Sequence, residues 1–439
     1  MTLPRVVVIG AGFAGLKAVK GLADLPCEVA LFDKHNYHLF QPLLYQVATA
    51  ALSPADIAYP IRRIFRNQQN VIVSMVRVDR IDLKRNFIAI EKSIVGYDYL
   101  VIAAGATHSY FGRDDWEQSA PGLKSIDDAT AIRKRMLMAF EEAEHEADPD
   151  SRRAKLTFIV VGGGPTGVEM AGALREIAAQ DIPRDFRSID TVNTRIILLQ
   201  GGDRLLPAMH PDLSERARKD LEAMGVEVRV NARVTEIDDR GVNIGAERIE
   251  CQNVIWAAGV QAAQLTRSLG VPLDKAGRVL VDPDLSIPNF PNAFVVGDAA
   301  SIIDSRTHLP VPGLAPAAMQ MGKFVAEIIH DEILVGHAIE RPKFKYRDKG
   351  VMATIGKAKA VADLRGWRFG GVFAWLAWSL IHVMFLISHR SRIFVMAGWI
   401  WDYVSTSREA RLITGPVRAR LSRPALYVES EGASTTPKS

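Results

Sequence analysis

The chain has 439 residues, 48% of them apolar and 24% charged, with a net charge of +4 at neutral pH. That length calls for two or three domains, the composition excludes global disorder, and so small a charge gives no case for a nucleic-acid partner. Cys27 and Cys251 stand far apart and in no motif, which excludes a disulfide framework, a metal site and a dithiol redox pair.

Met1 to Arg5 runs at once into Val6-Val7-Val8-Ile9, which reads as a buried strand. A secretory leader needs a longer apolar stretch and a cleavage site, so the chain is expected to stay in the cytoplasm. Gly10-Ala11-Gly12-Phe13-Ala14-Gly15 follows, ahead of a helical pattern over residues 16–25. In such a strand–turn–helix unit Gly10 permits the tight turn and Gly12 lets backbone approach a pyrophosphate. Gly15 lets helix and strand pack closely, and the phosphates meet the free N–H groups and dipole of the helix N-terminus. The next apolar run ends at Asp33, near the ~20-residue spacing of the acid that takes a ribose 2′-hydroxyl.

Tyr99-Leu100-Val101-Ile102-Ala103-Ala104-Gly105-Ala106 is a strand with a small-residue ending, where backbone can pass close to a cofactor. The charged run from Glu141 to Asp150 reads as a solvated helix end and linker. Then the first pattern returns. Thr157-Phe158-Ile159-Val160-Val161 leads into Gly162-Gly163-Gly164-Pro165-Thr166-Gly167, with Gly162, Gly164 and Gly167 in the three glycine roles. One bound nucleotide does not need two cradles; two dinucleotides facing each other do. The following strand ends at Gln200 instead of an acid. An amide still bonds a ribose but does not repel a 2′-phosphate, so NADPH stays open beside NADH. Val254-Ile255-Trp256-Ala257-Ala258-Gly259 is a second small-residue ending, and Val295-Val296-Gly297-Asp298 places an acid after a buried strand. Asp298 is either a ligand of a cofactor hydroxyl or a plain N-cap.

The order of cradle, Ala-Ala-Gly-Ala, cradle and Gly-Asp resembles the two-dinucleotide-domain flavoproteins. Within them, Asn36-Tyr37-His38-Leu39-Phe40-Gln41-Pro42-Leu43-Leu44-Tyr45-Gln46-Val47-Ala48 and the Gly162–Glu169 segment resemble the type II NADH:quinone oxidoreductases. The resemblance runs from Pro4 to about Gly415. It implies non-covalent FAD on the first cradle, NADH on the second, a membrane quinone as acceptor and no proton pumping. Carried over by position, Glu169 lies by the nicotinamide at the flavin face; read from the residues alone, it sits in the first turn of a helix, where the dipole favours an acid. Family members carry two glutamines where quinone approaches. Here Gln320 keeps the second, and Pro316 replaces the first. Tyr37, His38 and Gln46 are further candidates for the flavin wall, or packing residues.

Five of the seven tryptophans fall within residues 367–401, and residues 371–387 are apolar apart from Ser379 and His382. Phe373, Leu376, Leu380, Val383 and Ile387 recur at helical spacing, and the opposite face is apolar too, so the helix is buried in something. As a helix the stretch reaches about 25 Å against a hydrocarbon core of about 30 Å, which suits a helix lying in the interface better than a span. Arg408, Arg411, Arg418, Arg420 and Arg423 follow, a basic cluster for an anionic surface. The alternative is a core or homodimer helix with a solvated basic tail.

The expected fold is α/β, two Rossmann-like dinucleotide-binding domains with the second inserted in the first, plus a C-terminal membrane-associating helical segment. The FAD domain takes residues 1–115 and 271–335, the NAD(P)H domain 116–270, the membrane region 336–428, and 429–439 are a disordered tail. The reading is an oxidoreductase peripheral to the cytoplasmic face of the membrane, with hydride passing from NADH to FAD and two electrons on to quinone. Two others stay open: a soluble NAD(P)H-flavin reductase serving a ferredoxin- or rubredoxin-like protein, and a FAD/NAD redox sensor.

Overall fold

β-branched runs flanked by glycine build the two central sheets of the chain, in a computed structural model that describes residues 3–337, 339–405 and 410–414. Strand β1 (Arg5–Ile9) turns through Gly10 into helix α1 (Phe13–Gly21) and returns as β2 (Glu28–Asp33). The helix begins and ends earlier than its apolar pattern suggested. Gly12 is its extended N-cap, and Leu22 closes it by donating to the Val19 carbonyl. A short helix, α2 (Leu44–Ala48), precedes β3 (Val71–Met75); an antiparallel meander over residues 80–96 then leads to β4 (Tyr99–Ile102).

The chain next crosses out of this sheet through β5 (Ala106–His108) into the long helix α3 (Ile126–Glu144). β6 (Thr157–Val161), α4 (Pro165–Glu176), β7 (Arg195–Leu199), β8 (Val226–Arg229) and β9 (Asn253–Trp256) form the second unit, again with a three-stranded meander before the last strand. β10 (Val260–Ala262) brings the chain back, paired antiparallel with β5, Thr107 opposite Gln261. β11 (Ser286–Ile287) and β12 (Phe290–Val295) complete the first sheet, in the order β11-β12-β4-β1-β2-β3, parallel except at the β11 edge. The second sheet, β8-β7-β6-β9, is wholly parallel. In both, the turn after the first strand opens beside the point where strand order reverses, the usual ligand position in such sheets.

Both sheets are covered on both faces, which explains their uninterrupted apolar strands. Val6, Val8, Val29 and Leu31 pack under α1 and α5 (Ala315–Val335), while Val7, Ile9, Ala30 and Phe32 pack against the first meander. Helices α1 and α5 touch through small residues: a Cβ on Gly322 would lie 2.1 Å from the Ala14 carbonyl oxygen.

A C-terminal meander, β13 (Val351–Gly356), β14 (Lys359–Leu364) and β15 (Trp367–Gly370), lies on α4 so closely that a Cβ on Gly172 would stand 1.7 Å from the Ile355 carbonyl oxygen. The region beyond residue 336 is thus partly a cover for the second cradle's helix. Two helices end the described chain, α6 (Val372–Phe385) and α7 (His389–Ser405). Trp378 and Val383 turn inward, but Phe373 is 78% exposed, and Leu376, Leu380, Ile393, Ile400 and Trp401 are exposed as well. No described helix is long and apolar enough to cross a membrane.

The charged run departs from expectation. Glu144 ends α3 by accepting the N–H groups of Arg187, Ser188 and Ile189, and Glu146 pairs with Lys155 at 2.8 Å with both side chains mostly covered. Glu144 thus ties a distant loop to the helix end and Glu146 braces the next turn of chain, while Glu141, Asp148 and Asp150 are exposed. Of the C-terminal arginines only Arg411 lies among the described residues, where it pairs with Asp185. Arg408, Arg418, Arg420, Arg423 and the 429–439 tail lie outside them.

Candidate functional site

Both cradles have the backbone their glycines call for. Gly10 has φ +99° and Gly162 +115°, a region side chains avoid. A Cβ on Gly15 would lie 1.8 Å from the Gly10 carbonyl oxygen, and one on Gly167 1.7 Å from that of Gly162. Gly12 and Gly164 differ: a Cβ there meets nothing within 4 Å. These two glycines therefore keep room at a helix N-terminus for something outside the protein, as a pyrophosphate requires. Asp33 accepts the Ala11 N–H at 2.6 Å and the His35 N–H at 2.8 Å. Gln200 does the corresponding task in the second cradle, its amide oxygen accepting the Gly163 N–H at 2.9 Å.

The first cradle, through Gly12, Phe13 and Ala14, and the helix that follows the second, through Thr166 and Glu169, border one cleft of about 370 Å³ between the two units. Gly12, Ala104, Gly105, Glu169, Gly259, Gly297 and Asp298 lie on its wall, brought together from distant parts of the chain, whereas Gly10, Gly15, Asp33, Gly162, Gly164, Gly167 and Gln200 do not line it. Asp298 is not an N-cap: Val296 holds that position before a single 3₁₀ turn, and the carboxylate faces Gly313. A dinucleotide such as FAD fits this donor set, with open glycines for the phosphates, acids for the hydroxyls and bare backbone for the ring.

Glu169 does not stand in the first turn of its helix. It is the fifth residue of α4, buried, with the Thr354 N–H 3.5 Å away. Burial pushes its carboxyl up to about 8, so the group is mostly protonated at neutral pH. It also lines a second, smaller cavity of about 80 Å³. Tyr45 borders both spaces. In the smaller cavity the Trp399 indole donates to the Gln46 amide oxygen at 2.8 Å, and the Gln46 amide donates to the Tyr45 hydroxyl at 2.9 Å. Trp378 forms another wall and stacks on His382 with centroids 4.2 Å apart. Burial pushes the His382 imidazole down to about 4.

Gln320 lies off both walls. Its amide donates to the carbonyls of Pro316 and Arg347 and accepts the Arg347 N–H at 2.9 Å, fixing α5 to the segment after it. The helical repeat explains this: Ala315 and Ala318 face the cleft, and two residues further the helix has turned ~200°. Tyr37 and His38 also stay off the cleft wall; His38 Nδ1 is 2.8 Å from the Ala11 carbonyl oxygen and braces the cradle from behind. In their place Gln41, Pro42, Leu44 and Tyr45 line the cleft, from the same conspicuous segment. His108 and Lys124 carried no sequence signal. Lys124 stands on the wall; burial lowers its pKa, and the Asp298 carboxylate opposes that in part.

A family model described as pyridine nucleotide-disulphide oxidoreductase matches residues 4–322, and one described as NDH2 C-terminal domain matches 349–406. The chain is 43% identical to the type II NADH:quinone oxidoreductase Ndh of Mycobacterium tuberculosis, across 99% of this chain and 96% of that protein. It is 42% identical to NdhA of the same organism, across 98% and 93%. Among solved structures, NDH2 from Plasmodium falciparum in complex with NADH shares the fold with a TM-score of 0.85 at 21% identity, over 94% of this chain and all of that one. The sulfide:quinone oxidoreductase of Aquifex aeolicus follows the same fold with a TM-score of 0.70 at 19% identity, over 91% and 95%.

Proposed function

The chain belongs to the pyridine nucleotide-disulphide oxidoreductase family and, within it, to the type II NADH:quinone oxidoreductases, and we propose that its two cradles and Glu169 divide the work of that reaction. The enzyme oxidises NADH and reduces a quinone. FAD, when bound, supplies the two-electron relay between them.

In this reading Gly12 and the N-terminus of α1 hold the FAD pyrophosphate, Asp33 its ribose and Asp298 a ribityl hydroxyl. Gly164 and α4 hold the NADH pyrophosphate, and Gln200 its ribose. The small-residue endings at Ala104, Gly105 and Gly259 lie on the cleft wall, and at Gly105 a Cβ would meet nothing within 4 Å, which leaves room for a ring. Glu169 stands where the cleft meets the smaller cavity and carries a proton at neutral pH. NADH delivers a hydride while a quinol carries two protons, so one proton per turnover comes from water. Glu169 is placed to hand it on and be reprotonated. The quinone approaches from the side walled by α6 and α7.

The observation that carries the reading is the single cleft bordered by the first cradle and by the helix of the second, with Glu169 on its wall. Anaerobic stopped-flow tests it. NADH should bleach the bound flavin, a quinone should restore its colour, and Glu169→Gln should slow the second step ~10-fold or more, as loss of a positioned acid does. Unchanged reoxidation in Glu169→Gln would refute the role.

The exposed apolar face of α6 and α7 is assigned to a bilayer. Phe373, Leu380, Ile393 and Ile400 lie bare on two successive short helices, with Arg390 beside them. A helix pair of that kind sits in the lipid interface. Phe373→Glu with Leu380→Glu should abolish cosedimentation with anionic vesicles while the protein stays folded. Retained cosedimentation, or a dimer that dissociates instead, rejects the assignment.

A further inference from the structure

NADH oxidation coupled to quinol formation takes one proton from solvent, yet Glu169 is buried, with the Thr354 N–H against its carboxyl. We propose that Glu176 is a second relay acid, and that protons enter past Lys357 and Asp402, cross the small cavity by way of Glu176, and recharge Glu169. This deepens the role given to Glu169 above and rests on it.

The placement follows from the helix. Glu169 and Glu176 are seven residues apart on α4, two turns, and so lie on one stripe ~10 Å apart. Both line the smaller cavity, and the residue between them on that wall is Ala173, which offers only a methyl group. With the two backbones two turns apart, the proposed route runs through water between the carboxyls. The cavity that both acids line, about 80 Å³, is large enough to admit water. Its walls supply what buried water needs, with Gln46, Thr49, Thr354 and Ser379 among them.

Glu176 is buried and accepts the Lys357 N–H at 2.5 Å. The Lys357 ammonium donates to the Asp402 carbonyl at 2.8 Å, and both residues are partly exposed. The titratable groups facing the cavity are thus Tyr45 from α2, Glu169 and Glu176 from α4, Lys357 from the β13–β14 turn and Asp402 from α7. Glu176 is the member that stands between the solvent end and Glu169. In each turnover it takes one proton from the outer water and passes one inward, ending as it began.

The bond to Lys357 also gives Glu176 a structural use, so the test must separate the two. In the holoenzyme, Glu176→Gln keeps the bond to the Lys357 N–H but loses the transferable proton. Stopped-flow should show wild-type reduction by NADH, quinone-dependent reoxidation slowed ~10-fold at pH 8.5 and less at pH 6, and a larger solvent deuterium effect. Glu176→Asp should recover most of the rate. Wild-type reoxidation in Glu176→Gln across pH 6–9, with Glu169→Gln slow, overturns the route and leaves the role of Glu169 standing. Equal slowing of both half-reactions in the Gln and Asp variants also overturns it. Fast reoxidation in Glu169→Gln itself removes the reading on which the route rests.

Discussion

In the first cradle the Asp33 carboxylate accepts the Ala11 N–H at 2.6 Å; in the second the Gln200 amide oxygen accepts the Gly163 N–H at 2.9 Å. The backbones agree further, with left-handed Gly10 and Gly162 and with Gly15 and Gly167 each pressed on the carbonyl of the first glycine. The side chains do not agree. Two residues past the last glycine the first unit has an exposed lysine, Lys17, and the second the buried Glu169. Glycines whose Cβ would strike backbone are demanded by the fold and recur. Positions facing the ligand are free to differ, and there the two halves take on separate tasks.

The largest effect expected from this comparison comes at the open glycines. Gly12→Val and Gly164→Val add side chains where the protein has none within 4 Å, so the fold should survive while each cradle fills. A displaced phosphate contact of ~3 kcal/mol lowers affinity ~100-fold. Gly12→Val should be purified colourless. Gly164→Val should stay yellow but need ~100-fold more NADH for half-maximal bleaching. Loss of colour in both would mean that the cradles are not separable.

The next concerns Lys17 and Glu169. A carboxyl raised from 4.5 to about 8 favours the folded state fully below pH 4.5, and this contribution is lost as pH rises through about 8. The loss is on the order of 5 kcal/mol. Glu169→Gln should therefore have the higher Tm at pH 8.5, with the gap closing towards pH 5. Lys17→Gln, at the exposed equivalent, removes no buried group and should leave the Tm close to that of the wild type. Parallel melting curves of wild type and Glu169→Gln would contradict the burial of this acid.

The smallest is at the strand ends. Gln200→Glu restores the carboxylate that the first cradle keeps and should lower kcat/KM for NADPH relative to NADH ~10-fold, about 1.4 kcal/mol. An unchanged ratio would place nucleotide choice elsewhere.

The cradles were legible in the sequence because glycine roles are backbone roles, fixed by residues within one strand–turn–helix unit. Glu169 was legible as a position but not as a weak acid, since its burial comes from Thr354 and the C-terminal meander, far along the chain. The smaller cavity was invisible for the same reason. Its walls come from residues near 46, 173, 356 and 378, and no local pattern joins them. Glu144 and Glu146 looked solvated because composition reports charge, not the loop that arrives to be bound. Gln320 shows the opposite limit. Its spacing from the cleft was plausible until the rotation of α5 turned it to Arg347. The apolar stripe at Phe373 and Leu380 was read as buried in something; among the described residues nothing buries it.

The antiparallel pairing of Thr107 with Gln261 has a consequence for how such a chain arises. The second unit leaves and re-enters at strands ~5 Å apart, so the host sheet closes around it as it would around a tight hairpin. Ancestral recombination could then exchange the guest at two adjacent junctions, leaving the host's register intact. Transplanting residues 109–259 between relatives of different pyridine-nucleotide preference would use the same seam.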